Sequence, residues 1–323
     1  MDKDVAIVIG ISEYPSLGTS YRVDWAVKSA QMFFDWAVSD GEVTDGHHLL
    51  LLSGPGNPLS KSNIDDEVGK FLDSIQILDF RRLYFFFAGH GTAPQMEEDG
   101  SAFLLSEDSA FRKSKCLNRG EYEQCLRKMT SFSQQFLFFE ACRNVDLHFA
   151  GYGPTWCEVE PASHIVDQYR YYATKHGGYA NQGKEGGLFT EVVIDGLRGG
   201  AANAHGQVTV LGLRDHLESN IRALSTKAGF AEQSPDFGST SGINVSLVSV
   251  APRPQLVIIQ VESLGIESVT IYDKNYVEIE KGIFSALVRD VRLMLQPGQY
   301  IVEPKGAGTP RILNVPETTL VTL

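Results

Sequence analysis

Four apolar runs constrain this chain more than any other feature: Val5-Ala6-Ile7-Val8-Ile9, Leu49-Leu50-Leu51-Leu52, Leu83-Tyr84-Phe85-Phe86-Phe87 and Phe136-Leu137-Phe138-Phe139. Their apolar residues are consecutive, so a strand made of them must be covered on both faces. Between them, Trp25, Ala26, Ala30, Phe33 and Trp36 recur at helical spacing, as do Ile64, Val68, Phe71, Leu72 and Ile75. Strand alternating with amphipathic helix predicts an α/β domain with a mostly parallel central sheet flanked by helices. A short strand is expected at 101–105 and a helix at 119–129. A fifth strand is expected at 169–174, further helices at 188–197 and around Leu213, Leu217, Ile221 and Leu224, and a last strand at 243–248.

The pattern changes at Ala251-Pro252-Arg253-Pro254, beyond which helical spacing disappears. Strand-like runs follow at 256–261, 268–272, 286–295, 300–303 and 311–315, separated by turn residues such as Gln296-Pro297-Gly298. The chain therefore divides into an α/β domain over 1–250 and an all-β sandwich domain over 251–323. The net charge of -12 disfavours a nucleic-acid partner and favours cationic peptides or surfaces. No apolar run reaches the roughly 18–20 residues of a membrane span, and Met1-Asp2-Lys3-Asp4 carries no signal-peptide pattern, so a cytoplasmic, membrane-free protein is expected. Cys116, Cys125, Cys142 and Cys157 show no CxxC pairing, which points to free thiols and away from a disulfide framework or a structural zinc.

In such a sheet, chemistry collects at the carboxyl ends of the strands. Two apolar runs break there into reactive residues: one into Gly89-His90-Gly91, the other into Glu140-Ala141-Cys142-Arg143-Asn144. The separation leaves room for one crossover connection, so His90 and Cys142 can lie on neighbouring strands. A thiol becomes a strong nucleophile on ionisation, and an imidazole can take its proton and return it to a leaving amine. Cys142 and His90 are thus the candidate catalytic pair, with the amides of Gly91 and Cys142 as oxyanion donors. Cys157 with His164 is a weaker pair without a strand end, and His47-His48 reads as a solvated turn.

These motifs resemble the caspase and metacaspase superfamily of cysteine peptidases. The caspase signature Q-A-C-[RQG]-G has its histidine roughly 50 residues upstream. Here Glu140 and Asn144 depart from it, while Gly89-His90-Gly91 is similar to the histidine motif. The resemblance extends from Ala6-Ile7-Val8-Ile9-Gly10-Ile11 through Gly186-Gly187-Leu188-Phe189-Thr190 to Gln233-Ser234-Pro235. It implies a caspase-like sandwich and an endopeptidase acting on extended peptide segments. Metacaspase-like members carry an acid two residues before the nucleophile and favour arginine or lysine before the cleaved bond. Glu140 occupies that position, and Asp24 lies where metacaspases have a second pocket aspartate, although an aspartate there is also an ordinary helix cap. The resemblance thus implies a protein or peptide substrate with a basic P1 residue, bound through Asp24 and Glu140. No cofactor is expected. Some metacaspases bind calcium, but Glu97-Glu98-Asp99 lacks EF-hand spacing and reads as a solvated acidic loop. The alternative function is a catalytically silent relative that binds a partner, and the β domain is a candidate surface for a regulatory protein.

Overall fold

The computed structural model describes residues 3–75, 80–94, 101–108, 113–129, 131–145, 149–157, 166–203, 205–251, 255–261, 265–273, 275–283, 289–296, 298–306, 308–315 and 320–323. The expected acidic loop at Glu97-Glu98-Asp99, His164 and the proposed junction at Pro252–Pro254 lie outside these residues. In chain order the elements are β1 (Asp4–Gly10), α1 (Asp24–Ser39), β2 (Val43–Leu52), α2 (Lys61–Ile75), β3 (Phe80–Ala88), β4 (Gly91–Thr92), β5 (Ala102–Phe103), β6 (Lys113–Asn118) and α3 (Arg119–Arg127). They continue with β7 (Phe132–Glu140), β8 (Phe149–Tyr152), β9 (Asp167–Tyr172), α4 (Leu188–Asp195), β10 (Gln207–Thr209), α5 (Val210–Lys227), β11 (Asp236–Ser239) and β12 (Ser246–Ser249).

Six strands form the central sheet in the order β11-β9-β7-β3-β1-β2. All neighbours are parallel except β11, which runs antiparallel to β9. The consecutive apolar residues have the expected consequence: β1 is buried at every position, and so are the last six residues of β3 and of β7. On one face Phe33 of α1 stacks on Phe86 with 4.6 Å between ring centroids and lies 5.0 Å from Phe138. On the other, Phe87 stacks on Phe103 at 4.2 Å within a cluster that includes Ile64, Val68 and Leu72 of α2. Rings on adjacent strands also stack, including Phe138 on Tyr171 at 5.0 Å. Such pairs add roughly 0.5–1.5 kcal/mol each beyond their buried area.

Two sequence expectations are corrected. The sixth strand of the sheet is Asp236–Ser239, whereas Ser246–Ser249, which overlaps the segment 243–248 expected as the last strand, pairs instead with Gln207–Thr209. Asp-Phe-Gly-Ser lacks a strand-like apolar run; as an edge strand it pairs with the sheet on one side only, and the backbone ladder with β9 makes the strand. The second correction concerns the thiols. Cys125 of α3 and Cys157 form a disulfide with 5.4 Å between their Cα atoms, and Cys116 and Cys142 are not in a disulfide among the described residues. Their spacing of 32 residues carries no local motif, because the pairing is made by the fold bringing a loop onto a helix. The same loop is held by the Thr155 amide, which donates to Asp65 at 3.1 Å.

The chain forms two compact units, one of residues 1–200 with 210–245 and one of residues 201–209 with 246–323. The second contains β13 (Gln255–Gln260), β14 (Ile266–Asp273), β15 (Glu278–Ile283), β16 (Asp290–Leu295), β17 (Gly298–Gly306), β18 (Arg311–Val315) and β19 (Leu320–Thr322). They make a three-stranded sheet, β16-β13-β19, and a four-stranded sheet, β15-β14-β17-β18. Val257 and Ile259 from the first share one core with Val269, Ile271, Val302 and Leu313 from the second, so the unit is a β sandwich. β15 escaped the sequence reading because its Glu-Ile-Glu-Lys run is charged, as suits an edge strand.

Candidate active site

β3 and β7 are adjacent and parallel, with Ala88 in register with Glu140. His90 follows Ala88 by two residues and Cys142 follows Glu140 by two, so the alignment of the strands carries both past the same sheet edge. The Gly89 amide donates to the Glu140 carbonyl at 3.1 Å and extends the ladder to the base of the site. There the chain at Gly91 approaches the Cys142 segment closely: a Cβ on Gly91 would lie 2.4 Å from the Cys142 carbonyl oxygen and 2.8 Å from the Ala141 Cβ. That contact explains the glycine after the histidine. Gly91 also begins a small second sheet, β4-β5-β6-β8, and the His90 carbonyl accepts from the Leu104 amide at 3.0 Å, so the histidine is held between two sheets.

The loop between β1 and α1 brackets the imidazole. Its Nε2 lies 2.8 Å from the Tyr21 carbonyl oxygen. A carbonyl can only accept, so Nε2 carries the proton and Nδ1 is left as the basic nitrogen. The rings of Tyr14 and Tyr21 pack against the imidazole with centroids at 4.8 and 5.6 Å.

Cys142 is partly exposed, and its Sγ accepts a hydrogen bond from the Ala180 amide at 3.3 Å. Burial pushes the thiol above its ordinary value, while the amides of Ala180 and of Cys142 itself pull it back down. The net shift is upward, so this sulfur needs a base to become a thiolate at neutral pH. Ala180 is positioned by the loop after β9, which pairs with Arg143: the Arg143 amide donates to the Gly178 carbonyl at 3.0 Å and the Gly177 amide donates to the Arg143 carbonyl at 2.9 Å.

Glu140 is fully buried. Its carboxylate accepts from the Thr190 amide at 3.0 Å and from the Thr190 hydroxyl at 2.6 Å, with further hydrogen bonds from Ser29 and the Phe189 amide. It therefore sits at the N-terminus of α4, where backbone donors and the helix dipole favour an anion. Burial nonetheless raises its pKa above the ordinary value. Gly187 permits this approach, since a Cβ there would lie 2.1 Å from Oε1. Asp24 is placed differently. It is the first residue of α1, with Val23 as the cap, and its largely exposed carboxylate accepts from Arg22 Nε at 2.6 Å. The structure thus brings His90, Gly91 and Cys142 together at the sheet edge, sets Glu140 beneath that edge, and leaves Asp24 at the surface.

Arg143, next to Cys142, forms an ion pair with Asp236 of β11 at 2.9 Å. The buried guanidinium also donates to the Thr174 carbonyl and lies 5.1 Å from the centre of the Tyr172 ring. Arg143, Asp236, Tyr14 and Ala180 were not recognised as supports of the site. Their only sequence signal is position: Tyr14 and Arg143 follow β1 and β7, Asp236 begins β11, and Ala180 lies in the loop between β9 and α4. Among the described residues no group of three His, Cys, Asp or Glu side chains is disposed to hold a metal ion, and no helix is long and apolar enough to cross a membrane.

Comparison with known proteins places this geometry. The family described as Peptidase_C14, caspase domain, matches residues 3–241. A probable protease of a Desulfuromonadales bacterium is 28% identical over 225 residues, a match covering 60% of this chain and 26% of that relative's length. Among solved structures, caspase-1 of Spodoptera frugiperda superposes with a TM-score of 0.51 at 13% identity, covering 77% of this chain and 93% of that one. A Geobacter sulfurreducens protein superposes with a TM-score of 0.51 at 10% identity, covering 77% and 97%. At these identities the two superpositions show a shared fold.

Proposed function

Since the chain belongs to the caspase-domain family of peptidases, we propose that it is a cysteine endopeptidase in which Cys142 is the nucleophile and His90 the base. The observation that carries this reading is the in-register placement of the two residues past adjacent strand ends, with His90 Nε2 occupied by the Tyr21 carbonyl. His90 Nδ1 takes the thiol proton, and the thiolate attacks the carbonyl carbon of the scissile peptide bond. The Gly91 and Cys142 amides receive the oxyanion of the tetrahedral intermediate. On collapse, the imidazolium gives its proton to the departing amine and a thioester remains on Cys142. Water, deprotonated by His90, then releases the acid and restores the thiol.

For specificity we propose cleavage after arginine or lysine. The support is chemical: Glu140 lies two residues before the nucleophile, and Asp24 presents an exposed carboxylate three residues after the carbonyl that holds His90. Carboxylates beside a substrate pocket favour a cationic side chain and repel an anionic one. The β sandwich is proposed as a docking surface for a regulatory partner. Matched fluorogenic peptides ending in Arg, Lys or Asp, assayed with and without calcium, test the enzyme reading beside Cys142→Ala. Turnover of the Arg and Lys peptides that is absent in Cys142→Ala is expected. Preference for the Asp peptide would overturn the specificity, and labelling of Cys142→Ala by an arginyl chloromethyl ketone as readily as wild type would favour the silent relative.

A further inference from the structure

We propose that Tyr14 is a positioning residue that fixes the backbone of His90, and with it the imidazole; this rests on the Cys142 and His90 reading above. Tyr14 is 1% exposed. Its hydroxyl oxygen accepts from the His90 amide at 2.8 Å and its proton is donated to the Ile11 carbonyl at 3.2 Å. A tyrosine that merely filled the core would need one partner for its hydroxyl. Here the hydroxyl joins the segment just past β1 to the segment just past β3, where the Ile11 amide also donates to the Ala88 carbonyl at 2.9 Å.

The need for such a fastening follows from the sequence around the base. His90 lies between Gly89 and Gly91, the residue type with the greatest backbone freedom, so local chain stiffness does not set the direction of the imidazole. Gly89 is required by Tyr14 itself: a Cβ there would lie 2.8 Å from the tyrosine hydroxyl and 3.3 Å from the Ile11 carbonyl oxygen. The glycine that admits the hydroxyl is therefore also the source of the looseness that the hydroxyl removes.

The loop that supplies Tyr14 is itself closed, the Val23 amide donating to the Ser12 carbonyl at 3.0 Å and the Leu17 amide to the Tyr14 carbonyl at 2.9 Å. One compact loop thus reaches His90 twice, with Tyr14 from its beginning at the backbone and the Tyr21 carbonyl from its end at Nε2. Anchoring both ends of one residue restricts rotation about the bonds between them. Burial also pushes the Tyr14 phenol far above its ordinary value, so the hydroxyl keeps its proton and remains a donor to Ile11 across the working pH range.

Tyr14→Phe in the full chain tests this, since the ring and its packing stay and only the bridge is removed. Three measurements are made: kcat and KM on the Arg peptide, the pH profile of Cys142 alkylation by iodoacetamide, and the imidazole 15N shifts of His90. A fall in kcat of roughly 10- to 100-fold is expected, the scale of a small misplacement of a catalytic group, with KM within about twofold. The alkylation midpoint moves up as the imidazole ceases to support the thiolate, and the His90 signals move from the Nε2-protonated form toward a mixture of tautomers. Gly89→Ala reproduces the same pattern by displacing the hydroxyl. Wild-type kcat with unchanged 15N shifts overturns the proposal, as does a loss of activity that follows thermal unfolding while the alkylation profile and the shifts stay in place. Wild type that shows no Cys142-dependent cleavage defeats the peptidase reading instead, and the 15N shifts then still decide whether Tyr14 positions His90.

Discussion

Replacing Glu140 by glutamine separates the residue's structural duty from any role in substrate choice. Its buried carboxylate receives hydrogen bonds from the Thr190 amide, the Thr190 hydroxyl, Ser29 and the Phe189 amide. Glutamine keeps one acceptor oxygen and turns the other into an NH2 donor. The Thr190 and Ser29 hydroxyls can rotate to accept from it; the backbone amides cannot. A backbone amide that faces the new NH2 group is left without an acceptor in the buried site, which costs about 1–3 kcal/mol. The pH dependence has a definite sign. The folded pKa of Glu140 is raised above 4.5, so between 4.5 and the folded value the native state binds more protons than the unfolded one. This stabilising contribution is complete below 4.5 and is lost as pH rises through the folded value. Urea unfolding of wild type and Glu140→Gln at a series of pH values should therefore show a gap that is widest in acid and narrows toward neutrality. A gap under about 0.5 kcal/mol throughout would refute the enclosure of the carboxyl group by the α4 donors, and one that widens as pH rises would refute the upward shift that burial imposes.

Further predictions concern the supports of the same edge and of the loop after Cys142. Asp236→Ala leaves the buried Arg143 guanidinium without its carboxylate and should cost about 2–4 kcal/mol, measured as a lower urea midpoint at constant slope. Cys157→Ala opens a disulfide spanning 32 residues; chain entropy for a loop of that length gives a loss of about 3–4 kcal/mol under oxidising conditions, and wild type treated with reductant should match the variant. His90→Ala should lower kcat on the Arg peptide by roughly 100- to 10,000-fold while leaving the thermal midpoint near that of wild type, as the proposed role of general base requires. Asp24→Asn should raise KM for the Arg peptide while leaving the unfolding midpoint within about 0.5 kcal/mol, since its pairing with Arg22 is exposed; unchanged KM would remove Asp24 from the substrate site.

Much of the fold is legible from individual residues. Consecutive apolar positions at Val5–Ile9, Leu83–Phe87 and Phe136–Phe139 require strands with both faces covered, and the helical spacing of Ala26, Ala30 and Phe33 supplies one cover. The breaks of two such runs at His90 and Cys142 identify the candidate pair without coordinates, because strand ends in parallel sheets share an edge. Local pattern fails where pairing alone makes the element, as at Asp236–Ser239 and at Cys125 with Cys157. It also leaves side-chain surroundings open: Glu140 and Asp24 read alike as pocket acids, yet one is enclosed by α4 donors and the other faces solvent.

The sequence by itself determined the class of the sheet and placed the candidate pair, a histidine and a cysteine, just past two of its strand ends, since these depend on periodicity and on intrinsic reactivity along the chain. Only the tertiary structure decided that Tyr21 takes Nε2 of the histidine, that Tyr14 holds its backbone, that Ala180 caps the sulfur and that Glu140 serves a helix terminus. Each of these is a hydrogen bond between segments far apart in the chain. Its partner is chosen by how the elements pack, and no local spacing in the sequence encodes that choice.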